Sequence, residues 1–256
     1  MAVGAQATQT GQATQTGQAT QAREATPGTP AAIVPAVVPA APRQRTPAAK
    51  PRNPKPCTNR DLSGCYAFHQ TKDVADYSIR YTARAVATMY PRLARPTAFW
   101  YIPAGRAYRW CGTTMTDVSF GYCFGDRSIA LGQRQLWEFY DRAGDAAPLV
   151  GVAHEYAHHI QLLKGVRPPR TAAQSVRFEN QADCLAGAIV RQLRRENIFT
   201  DQDLRDVDEL IPLIASAEGR DRDHGTLDER VQAIYHGIRY GARSCTRYVP
   251  GGPRVG

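Results

Sequence analysis

Residues 149–163, LVGVAHEYAHHIQLL, constrain this chain more than any other stretch. The run is strongly apolar, yet it carries a glutamate and three histidines. A helix that is apolar on nearly every face is buried. Buried imidazoles and carboxylates need partners, and a bound metal is one. His154 and His158 are four residues apart, so a helix projects them from one face, about one turn apart. Glu155 lies next to His154 around the barrel. This is a His-Glu-x-x-His arrangement, in which two imidazole nitrogens can hold a zinc ion and the neighbouring carboxylate can reach its water.

The remaining composition is uneven. Residues 1–56 contain no Phe, Trp or Tyr and hold nine of the 18 prolines. They carry six basic residues and one acid, so +5 of the net +9 sits there and +4 is left for residues 57–256. The high pI is mostly a property of this segment, and no nucleic-acid-binding surface is demanded. Residues 5–22 repeat the unit GQATQT nearly three times, too short and polar to bury a face. Residues 23–56 read as an extended Ala/Pro/Arg-rich linker. The expected organisation is a disordered tail over 1–56, a folded domain over 57–248 and a flexible tail over 249–256.

Six cysteines, none in a Cys-x-x-Cys pattern, speak against a cysteine zinc site and for a disulfide-bonded exported protein. Two pairs are locally spaced, and the expected set is Cys57–Cys65, Cys111–Cys123 and Cys184–Cys245, although sequence cannot fix connectivity. The expected location is secreted or cell-envelope. The N-terminus shows no basic region followed by an apolar stretch. The apolar run at 31–42 is broken by Pro35 and Pro39 and is too short to cross a bilayer.

The periodicity of 71–94 predicts a first helix, with Val74, Tyr77, Tyr81, Ala85 and Met89 on one stripe and Pro91 marking its end. Residues 97–104 read as a strand. Residues 118–124 and 127–131 read as two more, forming a hairpin through Gly125-Asp126. Helices are expected over 134–143, 146–164, 171–195, 201–217 (kinked or broken at Pro212) and 227–239. The small residues Ala182, Ala186, Gly187 and Ala188 would let the 171–195 helix approach the His154 helix closely. The tail VPGGPRVG should fray.

Two histidines do not complete a hydrolytic zinc site, which takes three protein ligands and one open position. Downstream candidates are Glu179, Asp183 and His224. Glu179 and Asp183 are one turn apart on the next helix. That spacing suits a division in which Glu179 binds metal and Asp183 accepts a hydrogen bond from a ligand histidine's other nitrogen. Taken without the upstream motif, both would be helix-surface charges pairing with Arg177 or Arg191.

HEYAHHIQ (154–161), SVRFENQADCLAG (175–187) and HGTLDERVQAIYHG (224–237), in that order, resemble the bacterial family of "putative neutral zinc metallopeptidases". Cys111-Gly112 and Tyr122-Cys123 are similar to that family's paired-cysteine hairpin. The resemblance covers about residues 65–248. It implies an α+β, zincin-like metallopeptidase fold, mostly helical with a small antiparallel sheet or hairpin. It also implies Zn2+ held by His154, His158 and Glu179, with Glu155 as general base and Asp183 behind a ligand. The resemblance further implies that His224 comes near the site as an oxyanion donor. His159 reads as a buried structural histidine. Ala157 stands where the family usually has glycine, and the hairpin FGYCFGDRSIALG lacks the proline common after its cysteine.

The function so implied is hydrolysis of a peptide or protein substrate by a zinc-bound water. Glu155 moves the proton, and His224 or Tyr122 helps to hold the oxyanion. The strand RSIAL (127–131) is the expected edge for an extended substrate. Two other classes compete: an inactive zinc-bound scaffold, and a cell-surface interaction protein whose tail does the work. Trp100, Trp110 and Trp137 receive no role beyond packing.

Overall fold

The computed structural model describes residues 62, 64–215 and 222–256. The expected tail over 1–56 lies outside the described residues, as does Cys57. The described residues form six helices: α1 (Thr71–Met89), α2 (Gln133–Ala143), α3 (Ala146–Leu163), α4 (Ala172–Arg195), α5 (Asp201–Ile214) and α6 (Leu227–Tyr240). Five short strands lie between α1 and α2: β1 (Phe99–Ile102), β2 (Ala107–Trp110), β3 (Thr113–Thr116), β4 (Phe120–Tyr122) and β5 (Ile129–Gly132). The class is α+β and mostly helical.

Helix α3 is the centre of the packing. Every residue from Ala146 to Gln161 is buried. Helices α1, α2, α4 and α5, together with β4, all rest on it. Leu149, Val152, Tyr156 and Ile160 are nearly or fully buried among them. Each aliphatic side chain so placed contributes about 1.5–3 kcal/mol relative to exposure.

The sheet departs from an all-antiparallel expectation. Its order is β1-β5-β4, with β1 parallel to β5 and β4 antiparallel to it. The strand expected to offer an edge to substrate is therefore the middle one. Residues 129–132 pair on both sides and are all buried, so RSIAL has no free edge. The β4–β5 connection is also longer than a two-residue Gly-Asp turn. Cys123 donates its N–H to Ser128 O, Arg127 donates to Cys123 O, and the left-handed residue is Arg127 (φ 61°), not Gly125. Asp126 closes the loop by accepting from Ser128 N at 2.9 Å.

A second hairpin, β2–β3, has a two-residue turn at Cys111-Gly112. Both turn residues have positive φ, 51° and 77°, as a type I′ turn requires. The family resemblance puts Cys111-Gly112 in a hairpin, and these two residues form its turn. A disulfide from Cys111 to Cys123 ties this turn to the residue after β4.

Local chemistry sets several helix ends. Helix α1 stops before Pro91. Thr200 and Thr226 each cap a helix in a reciprocal box with Asp203 and Glu229. Helix α5 runs two residues past Pro212 before ending at Ile214. The C-terminus does not fray as expected. Val255 is fully buried, and its carbonyl accepts a hydrogen bond from Tyr90 Oη at 2.6 Å.

Gly187 differs from its expected use. The most extensive helix contact is α4 against α6, not α4 against α3. A Cβ on Gly187 would overlap the Ile234 carbonyl, and one on Gly237 would overlap the Cys184 carbonyl. The two backbones touch there. A second disulfide, Cys184–Cys245, joins α4 to the turn of 3-10 helix at Ala242–Tyr248. Replacing either glycine by alanine must push the helices apart. Gly237→Ala should lower stability by about 1–3 kcal/mol or more, read as a reduced Tm in thermal unfolding of the oxidised protein.

Candidate metal centre

His154 and His158 project from one face of α3, and Glu179 and Asp183 project from one face of α4. Packing of the two helices sets the pairs opposite each other. His154 Nε2 lies 3.1 Å from Glu179 Oε2, and His158 Nε2 lies 3.5 Å from the same oxygen. The three potential ligand atoms all fall within 4.8 Å of one another, and all three residues are buried.

The far side of each imidazole is held. His154 Nδ1 lies 2.8 Å from Asp183 Oδ1, and His158 Nδ1 lies 2.8 Å from Gln161 Oε1. With an acceptor at each Nδ1, a ring proton belongs there, and Nε2 is the atom turned to the common space, where its lone pair is available to a metal once its own proton has left. Gln161 is itself fixed, donating to Phe178 O at 2.8 Å and to Gln181 Oε1 at 3.1 Å. Phe178 stacks on the His158 ring, with centroids 5.2 Å apart and planes at 9°.

Glu155 is buried, and its Oε2 has no hydrogen-bond partner among the described residues. A buried carboxylate oxygen left unpaired is costly. Burial pushes the Glu155 carboxyl up, against the pull of His154 and His158. Two imidazole nitrogens and one carboxylate oxygen form a donor set that suits zinc. The orphaned Glu155 oxygen marks where a further polar group belongs. The residues present fit the metal.

His224 comes from the loop before α6. Its Nε2 is 3.6 Å from Glu179 Oε2, and its Nδ1 is 2.9 Å from Asp223 Oδ1. It therefore borders the cluster without joining the three-atom group. Tyr122 does not serve as an oxyanion donor. Its hydroxyl lies 2.9 Å from His159 Nδ1, and His159 Nε2 is bound to Ala94 O at 2.8 Å. That places His159 as a buried link between β4 and the chain after α1.

Three neighbours of the cluster received no role from sequence reasoning. Gln161 and Phe178 orient His158, and Arg230 meets Asp183 at 2.8 Å. A signal for each existed: Gln161 is three residues past His158, Phe178 precedes Glu179, and Arg230 lies within the 224–237 segment, six residues past His224.

A model of the family described as "Putative neutral zinc metallopeptidase" matches residues 105–232, half of the chain. The chain belongs to this family. Among similar proteins, "Uncharacterized protein YpfJ" of Escherichia coli is 29% identical over 110 residues, covering 38% of this chain and 38% of that protein. "Uncharacterized protein Rv2575" of Mycobacterium tuberculosis is 34% identical over 94 residues, covering 33% of this chain and 32% of that one. The matched part thus spans under two fifths of these relatives' lengths. No solved structure matches.

Burial lowers the pKa of His154, but the hydrogen bonds and charges of Asp183 and Glu179 outweigh it and push the group up to about 10. His158 is raised by Glu179 in the same way, against burial. Glu179 is held well below its ordinary value, chiefly by His158 and His154 against burial. The metal-free His154 is therefore protonated at pH 7, and a metal must displace that proton. Zinc binding at pH 7 should release about one proton or more and weaken as pH falls, checked by calorimetry in buffers of different ionisation enthalpy. The opposite sign applies to the metal-free fold. The share of its stability owed to His154 is complete below the unfolded value of 6.5 and lost as pH rises towards about 10. Tm of chelator-treated protein tracks that loss.

Proposed function

We propose that the protein is a zinc-dependent metallopeptidase that hydrolyses peptide bonds. Residues 57–248 make up its catalytic domain, and His154, His158 and Glu179 hold the metal. Asp183 accepts from His154 Nδ1 and fixes that ligand's orientation. Zinc, when bound, supplies a Lewis acid that polarises a carbonyl and acidifies water.

The observation that carries this reading is Glu155. Its unpartnered, buried Oε2 belongs to the same electrostatic cluster as His154, His158, Glu179 and His224. A purely structural metal site has no use for such a group. Burial makes the carboxylate a better base than an exposed glutamate. It takes a proton from the attacking water and delivers it to the leaving nitrogen. His224 Nε2 borders the cluster 3.6 Å from Glu179 Oε2, while Asp223 fixes the other side of its ring, so His224 is placed to stabilise the oxyanion.

Two disulfides among the described residues favour an oxidising compartment, so we place the protein outside the cytoplasm, secreted or in the cell envelope. No helix of the described residues is long and apolar enough to cross a membrane.

Glu155→Gln should retain one zinc per chain and lose peptide hydrolysis by at least about 100-fold. Metal analysis and cleavage of casein and peptide libraries by full-length protein check this. Wild-type cleavage by the variant sinks the mechanism. Zinc bound by the wild type without any chelator-sensitive hydrolysis favours an inactive scaffold instead.

A further inference from the structure

Arg230 lies in the first turn of α6, and its guanidinium is buried. Nη2 donates to Asp183 Oδ1 at 2.8 Å, and Nη1 donates to Ile214 O at 2.9 Å, at the end of α5. The same Asp183 oxygen takes the hydrogen bond from His154 Nδ1. A single carboxylate oxygen thus joins α3, α4 and α6. Asp183 Oδ2 has no partner among the described residues, so the orientation of this carboxylate is set through Oδ1 alone.

The other end of the contact leads back to His224. Arg230 follows Glu229, whose carboxylate accepts from Thr226 N at 3.0 Å and pairs with Arg222. Arg222 donates to His224 O at 3.0 Å. Gly225 is pressed between the two parts. A Cβ there would overlap Asn180 Oδ1 and come within 3.0 Å of Arg230 Cγ. The segment bearing His224 is therefore anchored on α4 beside the cluster, and Arg230 is its deepest contact.

We infer that Arg230 is a positioning residue for the metal centre. It fixes Asp183 so that His154 presents Nε2 to the metal, and it docks the His224 segment against α4. This rests on the zinc reading of the site. The planar guanidinium fork serves two diverging acceptors at once, Asp183 and the α5 terminus, which an ammonium point charge does not. Without it, Asp183 keeps one hydrogen bond and its carboxylate is free to turn, taking the His154 ring with it.

A double-mutant cycle of Arg230→Met and Asp183→Asn in the full-length protein tests this. The readouts are Zn2+ affinity against a chromophoric chelator and the absorption bands of bound Co2+. Each single variant should weaken zinc by roughly 10–100-fold and shift the Co2+ bands. The double variant should bind no worse than Asp183→Asn alone, because Arg230 acts through Asp183. Additive losses, or Arg230→Met with wild-type affinity and spectrum, overturn the inference. If Arg230→Met does not fold, Arg230→Lys replaces it in the cycle. A smaller loss with shifted bands supports the inference, and unchanged affinity overturns it. Wild-type protein that takes up no zinc sinks the metal reading itself. Zinc uptake with an additive cycle sinks only the role of Arg230.

Discussion

Everything in this structure depends on burying a helix that carries ionisable groups. Helix α3 is apolar enough to be surrounded on all sides, and its burial takes His154, Glu155, His158 and His159 out of water. Each stranded nitrogen or oxygen needs a partner, or the fold loses stability. His159 is satisfied at both nitrogens by Tyr122 and Ala94. His154 and His158 are satisfied at Nδ1 only by groups that α3 and α4 supply. What remains, two Nε2 atoms turned to Glu179 Oε2 and the unpartnered Glu155 Oε2, belongs to one electrostatic cluster. The leftover set is the site.

Most of the fold was legible because its signals are local. Helix α1 stops where Pro91 forbids continuation, and threonine caps open α5 and α6. Burial of α3 followed from its lack of a polar face. What was not legible depended on pairing at a distance. Strand order is one case: an apolar run such as 129–132 reads the same at a sheet centre as at an edge, and β1 joins it only through a parallel crossover. The C-terminus is another. A Pro/Gly-rich tail looks free until Tyr90, 165 residues away, takes hold of Val255 O. At the site, i,i+4 spacing exposed the histidine pair and the carboxylate pair that face each other. Arg230 stayed silent because its partners lie on other helices, and Gln161, which meets His158 within α3, is anchored by partners on α4.

The two histidines are backed differently. Behind His154 stands an ionised chain, Asp183 and then Arg230, ending on the Ile214 carbonyl. Behind His158 stands a neutral one, Gln161 to Gln181 and on to the Cys245 carbonyl. A carboxylate acceptor makes an imidazole a stronger donor to metal than an amide does. The pair is thus electronically unequal while geometrically alike. The neutral chain also ends on a disulfide-bonded residue, so His158 is referenced to the covalent staple and His154 to helix α6.

The glycine contacts between α4 and α6 have a consequence for that reference. Gly187 accepts the Ile234 backbone and Gly237 accepts the Cys184 backbone, so α6 can lie on α4 in a single rotational phase. A slip of one residue would turn α6 by about 100° and slide it by about 1.5 Å. Arg230 stands seven residues before Gly237, close to two full turns, and so it leaves α6 on nearly the same side. Asp183 stands four residues before Gly187, one turn, and likewise shares its side of α4. The azimuth that brings guanidinium to carboxylate is set by two residues with no side chains. The aim of His154 on α3 is thereby indexed, two helices away, to a place where nothing but backbone meets backbone.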